Sequence, residues 1–258
     1  MRYLFGDSDL AAHRLEIVHE VFSQASRPLL QETAAAKRIG LAMDLGCGPG
    51  VCTRFLAEVT GCDRAVGLDN SEQFIALAQA RSSERVQFRL HDVAVVPFPV
   101  GPADLLYCRF LLTHLRDPEV LPARWATQLQ PGGRLVIEEV DQIDAAELTL
   151  RTYLEVLAAL LAHQGGRLYI GPALNRLPEP EGLHRELSRV TPLPVSTAKA
   201  ATMFLMNLQA WKNELFVRAR FGDAKVASIE TRLRELTETD AGRSEIQWGM
   251  RQIVYRRG

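Results

Sequence analysis

Glycines at 46, 48 and 50, set in Asp44-Leu45-Gly46-Cys47-Gly48-Pro49-Gly50, form the stretch whose residue types most constrain the chemistry of this chain. Such a loop lets the main chain turn through positive φ and leaves no Cβ between backbone and ligand. What it lacks narrows the ligand. A nucleoside triphosphate loop needs Lys followed by Ser or Thr after its glycines, to meet phosphate and Mg2+; here Val51, Cys52 and Thr53 follow Gly50. A dinucleotide fingerprint needs Gly or Ala three residues past its second glycine, and Val51 occupies that place. The loop therefore suits a nucleoside without a pyrophosphate. Roughly 20 residues further on, Ala65-Val66-Gly67-Leu68-Asp69 ends in an acid, where a carboxylate can accept both hydroxyls of a ribose.

The elements that must position these groups are also legible. Ile39 to Leu45 is a short apolar run, and Val51, Phe55, Leu56 and Val59 follow the glycines at helical spacing, which gives strand, loop and helix. This is the front half of a Rossmann-type βαβ unit. Three more apolar stretches follow in order: Val86 to Asp92, Ala103 to Cys108, and Gln130 to Ile137. In motif, order and spacing, residues 41 to 140 resemble the class I S-adenosylmethionine-dependent methyltransferases, and are similar to the quinone-biosynthesis and natural-product types.

The resemblance implies an α/β fold, a Rossmann-like doubly wound seven-stranded sheet, with S-adenosylmethionine as cofactor. It implies that Asp44, Gly46, Cys47 and Gly48 form the cofactor loop, that Asp69 faces the ribose and Asn70 the ribose or the adenine edge, and that His91, Asp92 and Val93 border the adenine. Cys108 and Arg109, at the carboxyl end of the fourth strand, are expected beside the sulfonium. Tyr3 and Arg14 lie on a segment that folds over the cofactor in related methyltransferases, where they would hold the methionine carboxylate or roof the site. Arg14 is a cation on the apolar stripe of Leu10, Ile17, Val18 and Val21, so it must pair with an anion or snorkel outward.

Bulk properties bound the partners. Thirty basic and thirty-one acidic residues give a formal charge of −1, so no cationic field points to nucleic acid or an anionic membrane. A small-molecule substrate is expected, and a homodimer is compatible with the apolar helices. No apolar run approaches a spanning helix, and Met-Arg-Tyr-Leu-Phe-Gly-Asp is too polar for a secretory signal, which leads to a cytoplasmic expectation. Cysteines 47, 52, 62 and 108 have no paired CxxC spacing, so neither a disulfide frame nor a metal site is expected.

A sulfonium methyl is already activated, so the protein must mainly exclude water and orient the acceptor, an oxygen or nitrogen of a small metabolite before a carbon. Where a base is needed, the candidates are His114, Glu138 and Asp141. A histidine among leucines is more often a core or capping residue than a base. Alternation sends Glu138 and the neighbouring Glu139 to opposite sides of a strand, and Asp141 is expected on the site rim. One methyltransferase domain is expected over 1–258. Residues 1–38 should hold two helices, with Pro28 opening the second. Residues 144–192 should form an α-helical cap inserted between the fifth and sixth strands, with a long helix ending at Gly165-Gly166 and irregular chain beyond. Beneath this cap, His163 and Tyr169 are candidate substrate contacts. Met250, Gln252 and Val254 alternate with Arg251, Ile253 and Tyr255, which suggests a reversed last strand. A cofactor-binding protein of the same fold without methyl transfer, acting through a protein partner, is the alternative function. An NAD-linked oxidoreductase is opposed by Val51.

Overall fold

The computed structural model describes residues 6–238 and 244–258. Strands β1 (Leu41–Leu45), β2 (Arg64–Asp69), β3 (Val86–Leu90), β4 (Ala103–Arg109) and β5 (Leu129–Asp144) are mutually parallel. Two further strands, β6 (Leu183–Ser196) and β7 (Glu245–Arg257), complete a seven-stranded sheet of order β3-β2-β1-β4-β5-β7-β6. As expected, β7 is reversed, running antiparallel to both neighbours. Because both faces of the parallel part are covered, β1 and β4 read as nearly unbroken apolar runs. One face packs under α1 (Asp9–Ala35), α2 (Val51–Thr60) and α3 (Glu72–Gln79), through Leu29, Leu30, Phe55, Leu56 and Ile75. The other packs under α4 (Leu121–Ala126), through Trp125, and under the short α6 (Gly171–Arg176) and the residue before it, through Leu174 and Ile170. From β1 the chain winds one way through β2 and β3, then returns to place β4 on the other side. The crevice at this reversal lies at the carboxyl ends of the strands, where ligands bind in open sheets.

Three elements differ from the sequence expectation. Residues 9–35 form one helix, not two, and Pro28 lies inside it. Its ring is exposed while the buried stripe of Phe22, Ala25, Leu29 and Leu30 runs on without a break. Packing of that stripe outweighs one lost backbone bond. The last part of the segment assigned to the cap, residues 183–192, belongs to β6, which pairs with β7 along its whole length. Pro192 and Pro194 are tolerated because β6 is an edge strand and needs donors on one side only. Between β6 and β7 lie α7 (Thr197–Trp211), α8 (Leu215–Phe221) and α9 (Asp223–Thr237), so the helical cap comes from two separate stretches. It joins these helices to α5 (Leu148–His163), which ends, as expected, before a turn at Gly165 with φ +84°.

The cap has its own core. Tyr153 of α5 stacks on Phe204 of α7 at 4.3 Å, and Phe204 lies beside Trp248 of β7. Phe22 of α1 meets Trp248 edge-on at 4.9 Å and Phe110 at 4.8 Å, tying the first helix to the roof. Strands β5 and β7 extend beyond the parallel strands and form the platform beneath, through Val140, Ile143, Ile246 and Met250. Leu215, aligned in sequence with the Phe204, Leu208 and Trp211 stripe, instead opens α8 and is 83% exposed.

Candidate functional site

A cavity of about 360 Å3 runs from the glycine loop to the cap. The loop begins where β1 ends: Gly46 and Cys47 donate their N–H groups to the Leu68 carbonyl at 2.8 and 3.0 Å, which fastens the turn to β2. Gly46 has φ +71°, and a Cβ there would lie 2.6 Å from Leu111 Cδ1. Gly48, at φ +53°, donates its N–H to Asp69 Oδ2 at 2.8 Å, and the second carboxylate oxygen accepts from Ser71 N at 2.9 Å. A carboxylate oxygen has two lone pairs, so each keeps acceptor capacity toward the cavity that Asp69 lines. Burial raises the Asp69 carboxyl against three backbone donors that lower it.

Asp44, Gly46, Cys47, Gly48, Asp69, Asn70, His91, Asp92, Val93 and Arg109 of the sequence-assigned cofactor set all line the cavity, as does Arg14. At the β3 end, His91 Nε2 bonds the Val95 carbonyl at 2.8 Å and Asp92 Oδ1 accepts from Ala94 N at 2.9 Å. Val93 is buried behind them, its carbonyl accepting from Trp125 Nε1 at 2.8 Å. Asp44 accepts the Thr53 hydroxyl at 2.7 Å, and burial pushes its carboxyl up to about 7. Arg109 donates to Ser26 Oγ at 3.1 Å and meets His19 Nδ1 at 3.2 Å. Burial and two nearby arginines lower that imidazole to about 4, so it stays neutral and can accept. Burial lifts the Cys47 and Cys52 thiols, the latter to about 12, leaving both uncharged.

Beyond Arg109 the chain turns sharply. Phe110 has φ +55°, and a 3-10 turn, Leu112–His114, follows. Glu139 holds this turn, its Oε1 accepting from Leu111 N at 2.8 Å and Leu112 N at 2.6 Å. Burial pushes the Glu139 carboxyl up to about 8 despite those donors. The turn delivers His114 to the cavity wall, where burial and Arg14 lower the imidazole to about 3.

Several sequence-assigned residues lie elsewhere. Cys108 is fully buried in the apolar layer behind β4 and does not line the cavity, because alternation along the strand turns it away from the side that Arg109 faces. Glu138 points beneath α1, accepting from Tyr107 OH at 2.5 Å and Gln252 Nε2 at 2.7 Å. It belongs to a sealed polar network and not to the cavity wall. Asp141 sits where the pairing of β5 with β7 shifts register, a bulge that re-aims the side chain. It accepts from Arg251 Nε at 2.8 Å, away from the cavity rim. His163 is exposed and stacks on Phe216 at 4.1 Å, and Tyr169 packs half-buried against the cap core; neither lines the cavity. Tyr3 lies outside the described residues. Among those residues, no cluster of His, Cys, Asp and Glu could hold a metal, and no helix is long and apolar enough to cross a membrane.

Residues 43–137, from β1 through most of β5, match the family model for a methyltransferase domain. The match covers well under half of the chain. A trans-aconitate 2-methyltransferase of Variovorax paradoxus is 40% identical over 100 residues, covering 38% of each chain. The chain thus spans well under two thirds of that curated relative. A type II methyltransferase candidate from Anaeromyxobacter dehalogenans superposes with a TM-score of 0.59 at 21% identity, covering 90% of this chain and 95% of that one. The [4+2]-cyclase SpnF shares the fold with a TM-score of 0.53 at 17% identity, covering 90% and 80%.

The matched segment supplies the glycine loop and the acids of β2 and β3. Phe22, Leu154, Met203, Phe204, Asn207 and Trp248, none of which the sequence marks as functional, also line the cavity. They lie on α1, α5, α7 and β7, too far apart in the chain for any spacing to join them. Glu139 was legible only as the alternation partner of Glu138, since alternation says that two residues diverge and not which faces the ligand.

Proposed function

We propose that this chain transfers a methyl group from S-adenosylmethionine to an oxygen of a small molecule, a carboxylate before a phenol or an amine. The observation that carries the cofactor is Asp69, held by Gly48 N–H at the mouth of the glycine loop with acceptor capacity left over. The cradle fits that ligand: main chain lies bare at Gly46 and Gly48, Asp69 stands ready for a ribose, and among the described residues no lysine lines the cavity for phosphate. In this reading Asn70, His91, Asp92 and Val93 border the adenine. Arg109 takes the methionine carboxylate, and buried Asp44 faces the ammonium. When bound, S-adenosylmethionine supplies a methyl on a sulfonium, whose C–S pair leaves with sulfur as an acceptor lone pair forms the new bond.

The protein's own contribution is orientation and dryness. Phe22, Phe110 and Trp248 close the cavity between α1 and the cap. His114 stays neutral across the physiological range, so it can orient an acceptor by a hydrogen bond but is a poor store for a proton. A carboxylate, ionised already, needs no base, and methylation of one releases no proton. That match, together with the name of the Variovorax paradoxus relative, supports carboxylate O-methylation.

The same lack, among the described residues, of a strong base at the acceptor end favours one second reading, a protein that binds the cofactor without turnover. Calorimetry with S-adenosylmethionine and with NADH, followed by S-adenosylhomocysteine release across carboxylates, phenols and amines, separates the two. Methyl transfer requires binding of the first ligand and release with at least one acceptor. Binding without release across the panel supports the second reading.

A further inference from the structure

Helix α7 turns Met203, Phe204 and Asn207 toward the cavity, and its buried stripe continues through Leu208 and Trp211. Asparagine is the odd member of that stripe. A buried amide is costly against hydrocarbon unless something pairs it, and leaving it unpaired costs more than a made hydrogen bond returns. Among the described residues, Asn207 Oδ1 is nonetheless buried with no hydrogen-bond partner, and so is Nε1 of Trp248 on β7. The same holds for the Tyr153 hydroxyl and for Trp211 Nε1.

These four groups are gathered in one place. Tyr153 stacks on Phe204 at 4.3 Å and meets Trp211 at 5.6 Å, while Phe204 lies 6.1 Å from Trp248. The Tyr153 hydroxyl stands beside the side chains of Asn207 and Trp211 without bonding to either. Tyr153 and Trp211 are fully buried and do not line the cavity. Asn207 and Trp248 do line it, each 8% exposed. Around them the wall is Leu154 and Leu157 of α5 with Met203 and Phe204, all apolar.

The cap end of the cavity is therefore an apolar chamber with one acceptor and one donor left open. A carbonyl could serve only the indole N–H, and an ammonium only the amide oxygen. A hydroxyl both donates and accepts, so it can serve either group. The apolar walls favour an aromatic or aliphatic body to carry it.

We infer that the methyl acceptor carries, at the end away from the glycine loop, a hydroxyl on an aromatic or aliphatic body, and that Asn207 and Trp248 recognise this hydroxyl. This rests on the methyl-transfer reading above and deepens it. The two residues select the acceptor through a part of it that does not react.

The test begins with calorimetry of S-adenosylhomocysteine alone; failure to bind would strike the methyl-transfer reading itself. The S-adenosylhomocysteine complex is then titrated with two matched pairs, trans-cinnamate against trans-4-hydroxycinnamate and decanoate against 10-hydroxydecanoate. In at least one pair the hydroxylated acid is expected to bind about fivefold or more tightly, the worth of an ordinary hydrogen bond. Asn207→Leu, which removes the amide at similar bulk, should cut that preference to about twofold or less. Its affinities for S-adenosylhomocysteine and for the unhydroxylated acid should stay within about twofold of the parent. Trp248→Phe, which keeps a ring and deletes the N–H, should cut the preference likewise, and it covers the case in which Asn207→Leu does not fold. The inference is overturned if the hydroxylated acids bind no more tightly than their partners, the result expected if only water meets these groups. It is also overturned if neither hydroxylated acid binds, or if the preference survives in every variant that folds.

Discussion

The glycine-loop end of the cavity is built from main chain and the cap end from side chains. At the first, Gly46, Gly48 and Asp69 come from two adjacent parallel strands whose register is fixed residue by residue, Leu45 opposite Leu68. Backbone N–H groups aim the Asp69 carboxylate. At the second, rings from α1, α5, α7 and β7 meet only because the cap folds over the extended ends of β5 and β7. A site of the first kind tolerates little change in shape and serves one ligand. A site of the second kind can be re-lined by substitution while the fold persists, and this is where acceptor choice would reside.

Substitutions can break this division, and the largest effect is expected in the cap. Phe204→Ala removes a buried ring stacked on Tyr153 and should lower stability by about 3 to 5 kcal/mol in chemical denaturation. If the two ends are separable, its affinity for S-adenosylhomocysteine under native conditions should stay close to that of the parent. Asp69→Ala should do the reverse, weakening S-adenosylmethionine by about 1.5 to 3 kcal/mol in calorimetry with little change in the thermal midpoint of the ligand-free protein. Unchanged affinity would remove Asp69 from the ribose.

Glu139 sharpens the boundary, because it holds the turn between the two lobes. Its carboxyl, raised in the fold from an ordinary 4.5 to about 8, favours the neutral form, so its contribution is fully present below about 4.5 and is lost as pH rises through 8. Asp44, raised to about 7, acts in the same direction. The thermal midpoint should therefore fall between pH 5 and 9 on their account. Glu139→Gln, which retains an acceptor for Leu111 N and Leu112 N, should flatten that slope, matching the parent at pH 5 and exceeding it at pH 9. An unaltered slope would assign the pH dependence elsewhere. The smallest effect belongs to His163→Ala, an exposed stack outside the cavity: stability should move by about 0.5 kcal/mol or less, and kcat/KM should not change. A marked loss of kcat/KM would return His163 to the acceptor site.

Local pattern made some of this legible and left the rest hidden. The loop at 46–50, the acid at 69 and the reversed last strand could be read because each depends on residues that are neighbours along the chain or on one strand's alternation. Pro28 misled because propensity describes an isolated helix, whereas the buried stripe of α1 is stabilised by the sheet beneath it. Pro192 and Pro194 hid β6, since nothing local shows that a strand lies at an edge. Asp141 was misassigned because one extra residue in the β5 and β7 pairing reverses which way a side chain points.

By itself the sequence determined the parallel sheet, the bare-backbone loop and the acid facing it, since glycine's freedom and the two-residue period of a strand act over a few bonds. Only the tertiary structure decided that the cap comes from two stretches of chain, that Glu138 is sealed away while Glu139 holds the turn, and that Arg14 is buried on the cavity wall. Those outcomes depend on which distant surfaces exclude water together, and side chains brought together in that way carry no mark of it in their order along the chain.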